Sequence, residues 1–470
     1  MATNANLKRL YDGLPAWVQN TILTGFSALL DRERYGSGFQ EFKQFLDKSQ
    51  WYSAGQLADY QDEELVKLIA YSYQHVAYYR RVMDERGLKP QDIRCAADLD
   101  KLPVLSRQDI KDNFAALLSD EYDLKKVKKG HTSGTTGSPL EICYDDRVIN
   151  ITYALLDRHY AWAGVCMKRF GDRVAVLRGN PIVPLRQKKP PFWRYNYLHN
   201  QLLFSSFHMS TQNLAHYVAE IRRYAPKILD GYPSTLYVLA KYLQNMGQKL
   251  PLHAVISSSE TLYDFQREVI EASFDCKVFD YFAAAERVAF SSECDRHEGH
   301  HLADEYGITE ILDAQHKRLP PGELGVLVAT SLHNYAMPMI RYLSNDMSSL
   351  KTNVCSCGRG LSLMDDVTTK AEDLLTLRDG RLISPSVLTH PFKPLTSVAA
   401  SQIIQEDLDH VCIKLVASPE FSAEDERTLI YGMKERLGEA VDIRVEKVES
   451  LERTRAGKFK WVISKVKLGI

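Results

Sequence analysis

The chain has 470 residues, too many for one ordinary hydrophobic core, so two or three domains are expected. Apolar residues make up 45% and charged residues 25%, the balance of a soluble globular protein. The net charge of -1 argues against a nucleic-acid footprint, which needs a basic excess or stripe. The short cluster Lys125, Lys126, Lys128, Lys129 reads as a solvated loop.

Met1–Lys8 is polar with no apolar stretch following at once, so no cleavable signal is expected. Leu14–Leu30 is the most apolar long run, but Gln19, Asn20 and Thr24 interrupt it. It falls short of a membrane span and reads as an amphipathic helix packed on the protein. Residues 1 to about 128 look helical. Asp62–Arg81 and Arg107–Leu118 carry apolar residues at helical spacing, and Ser106 with Asp109 marks a helix start. The texture then changes. Strands are expected at Arg173–Arg178, Lys227–Asp230, Ala254–Ser258 and Lys277–Phe282. Helices alternate with them at Leu214–Tyr224, Ser234–Met246 and Phe265–Ser273. That alternation implies a parallel sheet with crossover helices, an α/β fold. A more antiparallel, β-rich stretch follows at Glu305–Asp313, Gly325–Ser331 and Pro338–Tyr342. The tail has its own pattern: a turn at Asp379-Gly380, strands at Cys412–Val416 and Val441–Val448, and a helix at Ala423–Leu437. It predicts a small α+β domain. The division is 1–369 for the large domain and 370–470 for the small one.

Two motifs suggest phosphate chemistry. In Thr132-Ser133-Gly134-Thr135-Thr136-Gly137, the glycines admit a phosphate close to the backbone, and hydroxyls and N–H groups can bond its oxygens. The spacing and ending of an ATPase P-loop are missing. Near the C-terminus, Gly457-Lys458 could deliver a cation to a phosphate. Each has a bland reading, a polar turn and a solvated lysine.

Together, and in this order, they resemble the adenylate-forming superfamily of acyl- and aryl-CoA ligases. Phe282-Ala283-Ala-Ala285-Glu286 falls where that family has Tyr-Gly-x-Thr-Glu. The resemblance implies that Glu286 serves magnesium and Phe282 lies beside adenine. Arg341–Asp346 resembles the segment whose aspartate, here Asp346, holds the ribose. Lys370-Ala-Glu372-Asp373 resembles the hinge motif, with Glu372 as pivot and Lys370 near the nucleotide. Leu14-Pro15, Gln19-Asn20, Gly231-Tyr232-Pro-Ser234, Ser257–Leu262 and Cys355-x-Cys357-Gly-Arg359 resemble the phenylacetate-CoA ligase/CapK-like branch. In Ser257–Leu262, Ser259 and Glu260 are expected near ATP. His208, Tyr232 and Ala283 are expected at the acid pocket. CapK-like proteins are commonly associated with polysaccharide or natural-product biosynthesis.

The resemblance thus implies a large ATP- and acid-binding domain and a mobile C-terminal domain carrying a catalytic Lys458. It implies ATP and Mg²⁺, a small carboxylic acid as substrate and coenzyme A as acceptor. A carrier-protein thiol or an amine is the rival acceptor. No disulfide scaffold is expected from eight cysteines in so long a chain, so a cytoplasmic home is the simplest inference, and a homodimer is the default among oligomers. Cys294, His301, Cys355 and Cys357 form a candidate structural zinc set, with His297 and His300 as substitutes for His301. Scattered buried cysteines and a solvated histidine cluster are the plain alternative.

There are departures. Ser138 replaces a lysine often found after the loop, Ala283 and Ala285 replace glycine and threonine, and Lys370 replaces an arginine. They keep two other readings open: AMP transfer to an acceptor, as in synthetases of the same branch that leave AMP on a coenzyme, and a non-catalytic nucleotide-binding homologue.

Overall fold

The computed structural model describes the chain except residues 1–9, 124, 133–139, 180–181, 314, 370–374, 380, 384, 389, 393, 396, 450, 452–460 and 467–470. Helices dominate the first part: Ala16–Arg34, Ser37–Ser49, Ala54–His75, Ala77–Glu85 and Arg107–Asp112. Ser53 with Gln56, and Ser106 with Asp109, close reciprocal caps, so the start read at Ser106 is where the helix begins. The predicted helix Asp62–Arg81 is two helices, because Val76 takes an extended conformation between them. The long helix Ala16–Arg34 does pack on the protein, but by its polar side. Gln19, Asn20, Ser27 and Asp31 are buried while Trp17, Ile22 and Leu29 are exposed. Partners explain the inversion: Gln19 bonds Arg194, Asn20 accepts from the Tyr195 N–H, and Asp31 pairs with Arg169 and His199.

Among the described residues the central sheet has nine strands. Val278–Ala283, Ala254–Ser258, Ile228–Gly231, Val174–Leu177 and Gln201–Phe204 run parallel in that spatial order. The helices Leu214–Tyr224, Pro233–Asn245 and Asp264–Phe274 are the connections, as the alternation predicts. Antiparallel strands finish both edges. Trp193–Asn196 flanks one, and Phe290–Glu293, His300–Leu302 and Leu363–Met364 extend the other. A second, antiparallel sheet holds Gly307–Leu312, Gly325–Ser331, Tyr342–Ser348 and Thr368–Thr369. Here the expectation of a strand at Pro338–Tyr342 fails. Arg341 sits at φ +54°, left-handed, and its buried guanidinium pairs with Glu310, so the strand starts only at Tyr342.

The C-terminal part is a small α+β unit. Its sheet orders Asp442–Lys447, His410–Ala417, Val398–Gln405 and Val462–Ser464, with the helix Ala423–Leu437 packed on it. Ser422 caps that helix with Asp425. Its apolar cluster continues onto Phe207 and the half-buried Tyr232 of the large part. No helix among the described residues is long and apolar enough to cross a membrane.

Candidate adenylation site and metal centre

Five parallel strands end on one edge of the central sheet, the place where open α/β sheets bind ligands. Leu177 leads there to Arg178, Gly231 to Tyr232, Ser258 to Ser259 and Glu260, and Ala283 to Glu286. The segment after Val278–Ala283 turns sharply: the Ala284 N–H bonds the Ala289 carbonyl, and Arg287 is at φ +63°. Phe282 is half-buried against the core formed with the N-terminal helices, while Ala283 and Ala285 are exposed.

Glu286 is half-buried and anchored. Tyr342 Oη donates to its Oε1 at 2.7 Å, and Arg107 Nη1 reaches the same oxygen at 3.2 Å. Burial and the Glu286 charge push the Tyr342 phenol well above its ordinary value, so it stays a donor. Neither anchor was singled out from sequence. Tyr342 lay inside the Arg341–Asp346 motif, but Arg107 had no signal beyond its place one residue after a cap.

Glu260 takes a structural position at this edge. Its carboxylate accepts from the Ser234 N–H at 3.0 Å and from Ser234 Oγ at 3.1 Å, at the start of the helix Pro233–Asn245. Ser259 is left-handed at φ +71°. Asp346 is half-buried in Tyr342–Ser348, directly opposite Thr369, and its N–H bonds Ser344 Oγ. Of the glycine-rich motif only Thr132 is described, at the end of a strand. Lys128–Thr132 pairs with Leu140–Tyr144, and Thr132 stands opposite Leu140. Ser133, Gly134, Thr135, Thr136 and Gly137 lie outside the described residues, as do Lys370, Glu372 and Lys458. Lys128 and Lys129 of the basic run are paired with Glu33 and Glu141.

Two expected pocket residues sit further along the edge. Tyr232 is half-buried under Arg178, whose guanidinium lies 5.9 Å from the ring centroid. Arg178 itself pairs with Asp230 and donates to Ser258 Oγ at 2.9 Å and to Tyr281 Oη at 3.1 Å, a polar network the sequence did not announce. His208 is buried, stacked on Phe192 at 4.9 Å, with Nδ1 bonded to Ser205 Oγ at 2.7 Å. Burial pushes it down to about 4, so its ring is neutral at pH 7. Among the described residues its Nε2 makes no hydrogen bond of good geometry.

At the far edge of the sheet, Cys294, His301, Cys355 and Cys357 converge, with their ligand atoms all within 4.8 Å of one another. Cys294 and Cys355 are 3.7 Å apart at sulfur, and Cys357 Sγ is 3.4 Å from His301 Nε2. Two thiolates on one tetrahedral zinc, each about 2.3 Å away, stand about 3.8 Å apart, and a thiolate and an imidazole about 3.5 Å. The set therefore fits such an ion. The turns fit too. Gly358, at φ +81°, follows Cys357, and the N–H groups of Arg359 and Arg296 bond the sulfurs of Cys357 and Cys294. Burial lowers His301 to about 4, keeping its ring neutral for ligation. Trp162 packs edge-on against His301, and Arg359 stacks over Trp162. The other two histidines are elsewhere: His297 packs on Phe279, and His300 points to the opposite face of the sheet, toward Asp280 and Asp366.

Comparisons with known proteins agree with this architecture. Residues 375–465 match the CapK C-terminal domain family. Protein CapK of Staphylococcus aureus is 25% identical over 98% of this chain and all of its own length. A phenylacetate-coenzyme A ligase of Pseudomonas putida is 26% identical over 87% of this chain and 94% of its own. A crystal structure of 2-hydroxyisobutyryl-CoA ligase, complexed with its acyl-AMP and CoA, superposes with a TM-score of 0.56. It is 20% identical and covers 88% of this chain and 91% of that one. The fold is thus like that of an adenylate-forming CoA ligase. Over most of its length the chain is similar to CapK and to phenylacetate-CoA ligases.

Proposed function

We propose that this protein is an adenylate-forming ligase that activates a carboxylic acid with ATP and passes the acyl group to a thiol, with coenzyme A as the acceptor. The observation that supports this most is end-to-end similarity to CapK and to phenylacetate-CoA ligases, with Glu286 held ready at the strand edge. The acid's carboxylate attacks the α-phosphorus in line and pyrophosphate leaves. A carboxylate is already ionised at neutral pH, so the step needs positioning and charge stabilisation more than a base.

In this reading the loop Thr132–Gly137 holds the outer phosphates and Asp346 the ribose, while Phe282 packs by adenine. Tyr342 and Arg107 both act on Oε1 of Glu286, which leaves its second oxygen available to a hydrated magnesium ion. Magnesium, when bound, neutralises phosphate charge. Lys458 approaches from the small domain, 370–470, and bridges the carboxylate and α-phosphate. That domain then turns about Glu372 to admit the thiol. Tyr232, Ala283 and His208 line the acid's side of the edge. Cys294, His301, Cys355 and Cys357 hold a structural zinc, because four protein ligands leave no open position. A cytoplasmic site of action and a role in polysaccharide or natural-product building rest on the branch resemblance alone.

The test is pyrophosphate release from ATP across aliphatic, aryl and amino acids, with and without coenzyme A, using Lys458→Ala as control. One acid that triggers release, lost in the variant and followed by acyl-CoA, supports the reading. A product that keeps AMP supports nucleotidyl transfer instead. ATP binding with no release for any acid leaves a non-catalytic homologue.

A further inference from the structure

The strand His300–Leu302 sends successive side chains to opposite faces of the sheet. His301 goes to the cysteines. His300, 1% exposed, goes to a second convergence, in which ligand atoms of Glu293, His300 and Asp366 lie within 4.8 Å of one another. Its Nε2 is 3.4 Å from Asp366 Oδ1 and 3.6 Å from Asp280 Oδ2, and makes no hydrogen bond of good geometry to either.

Those distances are long for a hydrogen bond, which closes to about 2.7–3.2 Å. They match two ligands on one metal: an imidazole and a carboxylate oxygen, each about 2.1 Å from a tetrahedral ion, stand about 3.4 Å apart. The outer groups are also in place. His300 Nδ1 meets Ser291 Oγ at 3.3 Å, so the imidazole is oriented from behind, and Asp280 Oδ1 accepts from Ser257 Oγ. Charge points the same way. Three carboxylates, Asp280, Glu293 and Asp366, meet one permanent cation, Arg267, which binds Glu293 at 3.0 and 3.3 Å. Lys351 turns instead to Asp365, and His297 Nδ1 stands 3.7 Å from Glu293. With a neutral imidazole, two negative charges remain for a dication to cancel. Uncompensated charge on the buried Asp280 and Glu293 is costly.

We propose that His300, Asp366 and Glu293 bind a divalent transition metal of the zinc type, with Asp280 as a further carboxylate beside the imidazole and Arg267 held next to them by Glu293. Imidazole with carboxylates suits such an ion. It would be a second site, back to back with the Cys₃His set. It ties the strands Phe290–Glu293 and His300–Leu302 to the segment between Leu363–Met364 and Thr368–Thr369.

The experiment is metal analysis of full-length protein, stripped with a chelator, reloaded with Zn²⁺ and dialysed. The variants are Asp366→Asn, half-exposed and so safe for folding, His300→Gln and Cys357→Ser. The expected result is one zinc per chain lost in Asp366→Asn and in His300→Gln but kept in Cys357→Ser. Cobalt in the Cys357→Ser protein should then give a spectrum from nitrogen and oxygen ligands that Asp366→Asn, added to it, abolishes. Zinc content unchanged in both Asp366→Asn and His300→Gln overturns the assignment, and leaves His300 as a member of a plain ion-pair cluster.

Discussion

Tyr342→Phe isolates the hold on Glu286. The ring of Tyr342 is 1% exposed in the core shared by the N-terminal helices and the second sheet, and phenylalanine keeps that packing. What disappears is a 2.7 Å bond to a carboxylate oxygen. A hydrogen bond to a charged group contributes about 1.5–3 kcal/mol. Arg107 still reaches the same oxygen at 3.2 Å, which puts the loss at the lower end, about 1.5 kcal/mol. If Glu286 acts at the phosphates, pyrophosphate release slows roughly tenfold. The drop should fall on kcat more than on KM for ATP, because the cation's contribution grows as charge develops. Arg107→Ala should act in the same direction, and the double variant should cost more than the sum, since each donor backs up the other at one atom. Pyrophosphate release at saturating acid, with thermal unfolding as the fold control, measures this. A Tyr342→Phe enzyme within twofold of the parent in kcat would refute the idea that this anchoring matters to catalysis.

Ala285→Thr restores the hydroxyl the family carries at an exposed position, so nothing need move to admit it. One added hydrogen bond of about 1 kcal/mol should raise kcat for pyrophosphate release roughly fivefold, and an unchanged rate counts against the family pose at this residue. Removing the Cys₃His metal should be felt as stability. Cys355→Ser, or chelation of the parent, should lower the unfolding temperature by several degrees, read by calorimetry, and equal melting with and without chelator contradicts a structural ion. Asp304 gives a pH test. Burial pushes its carboxyl up to about 7, against an ordinary 3.8. The folded state therefore binds more protons than the unfolded one between those values, and stability from this group is lost as pH rises toward 7. Asp304→Asn should gain on the parent from pH 5 to pH 8, by no more than about 3 kcal/mol, in urea unfolding at each pH. A gap that stays flat with pH means the carboxyl does not titrate there.

Much of the fold was legible because crossover helices and parallel strands leave strong local patterns. Leu214–Tyr224, Ala254–Ser258 and Ala423–Leu437 begin and end where periodicity puts them. The edge strands were not legible. Trp193–Asn196, Phe290–Glu293 and His300–Leu302 have three or four residues each, too short for a period-two signal, and their pairing is set by distant neighbours. The inverted helix Ala16–Arg34 misled for a related reason. Its apolar stripe is real, but buried arginine, asparagine and histidine partners far along the chain claim its polar face. The Cys₃His cluster was readable as a set and not as a geometry. Three histidines within five residues look alike until strand alternation sends His301 and His300 to opposite faces. Arg107, Tyr342 and Arg178 act through contacts with residues far away in sequence, and no spacing rule finds such partners.

One step joins the nucleotide edge to the proposed turn of the small domain. Asp346 stands opposite Thr369 in an antiparallel ladder, and Met347 opposite Thr368. The chain is therefore tied into the second sheet up to residue 369. The proposed pivot at Glu372 comes after that tie, so in the proposed reading the two half-reactions share one nucleotide pose while Lys458 is withdrawn. Glu372→Pro separates them. Proline restricts rotation at its own φ and at the residue before it. Pyrophosphate release should survive within a few-fold, because that state is reached without the turn. Acyl-CoA formation from pre-formed acyl-AMP should fall by at least tenfold. Equal retention of both steps would show that acyl transfer needs no rotation at this residue. Loss of adenylation with transfer intact would place the resting enzyme in the transfer-ready orientation and reverse the order of motions argued here.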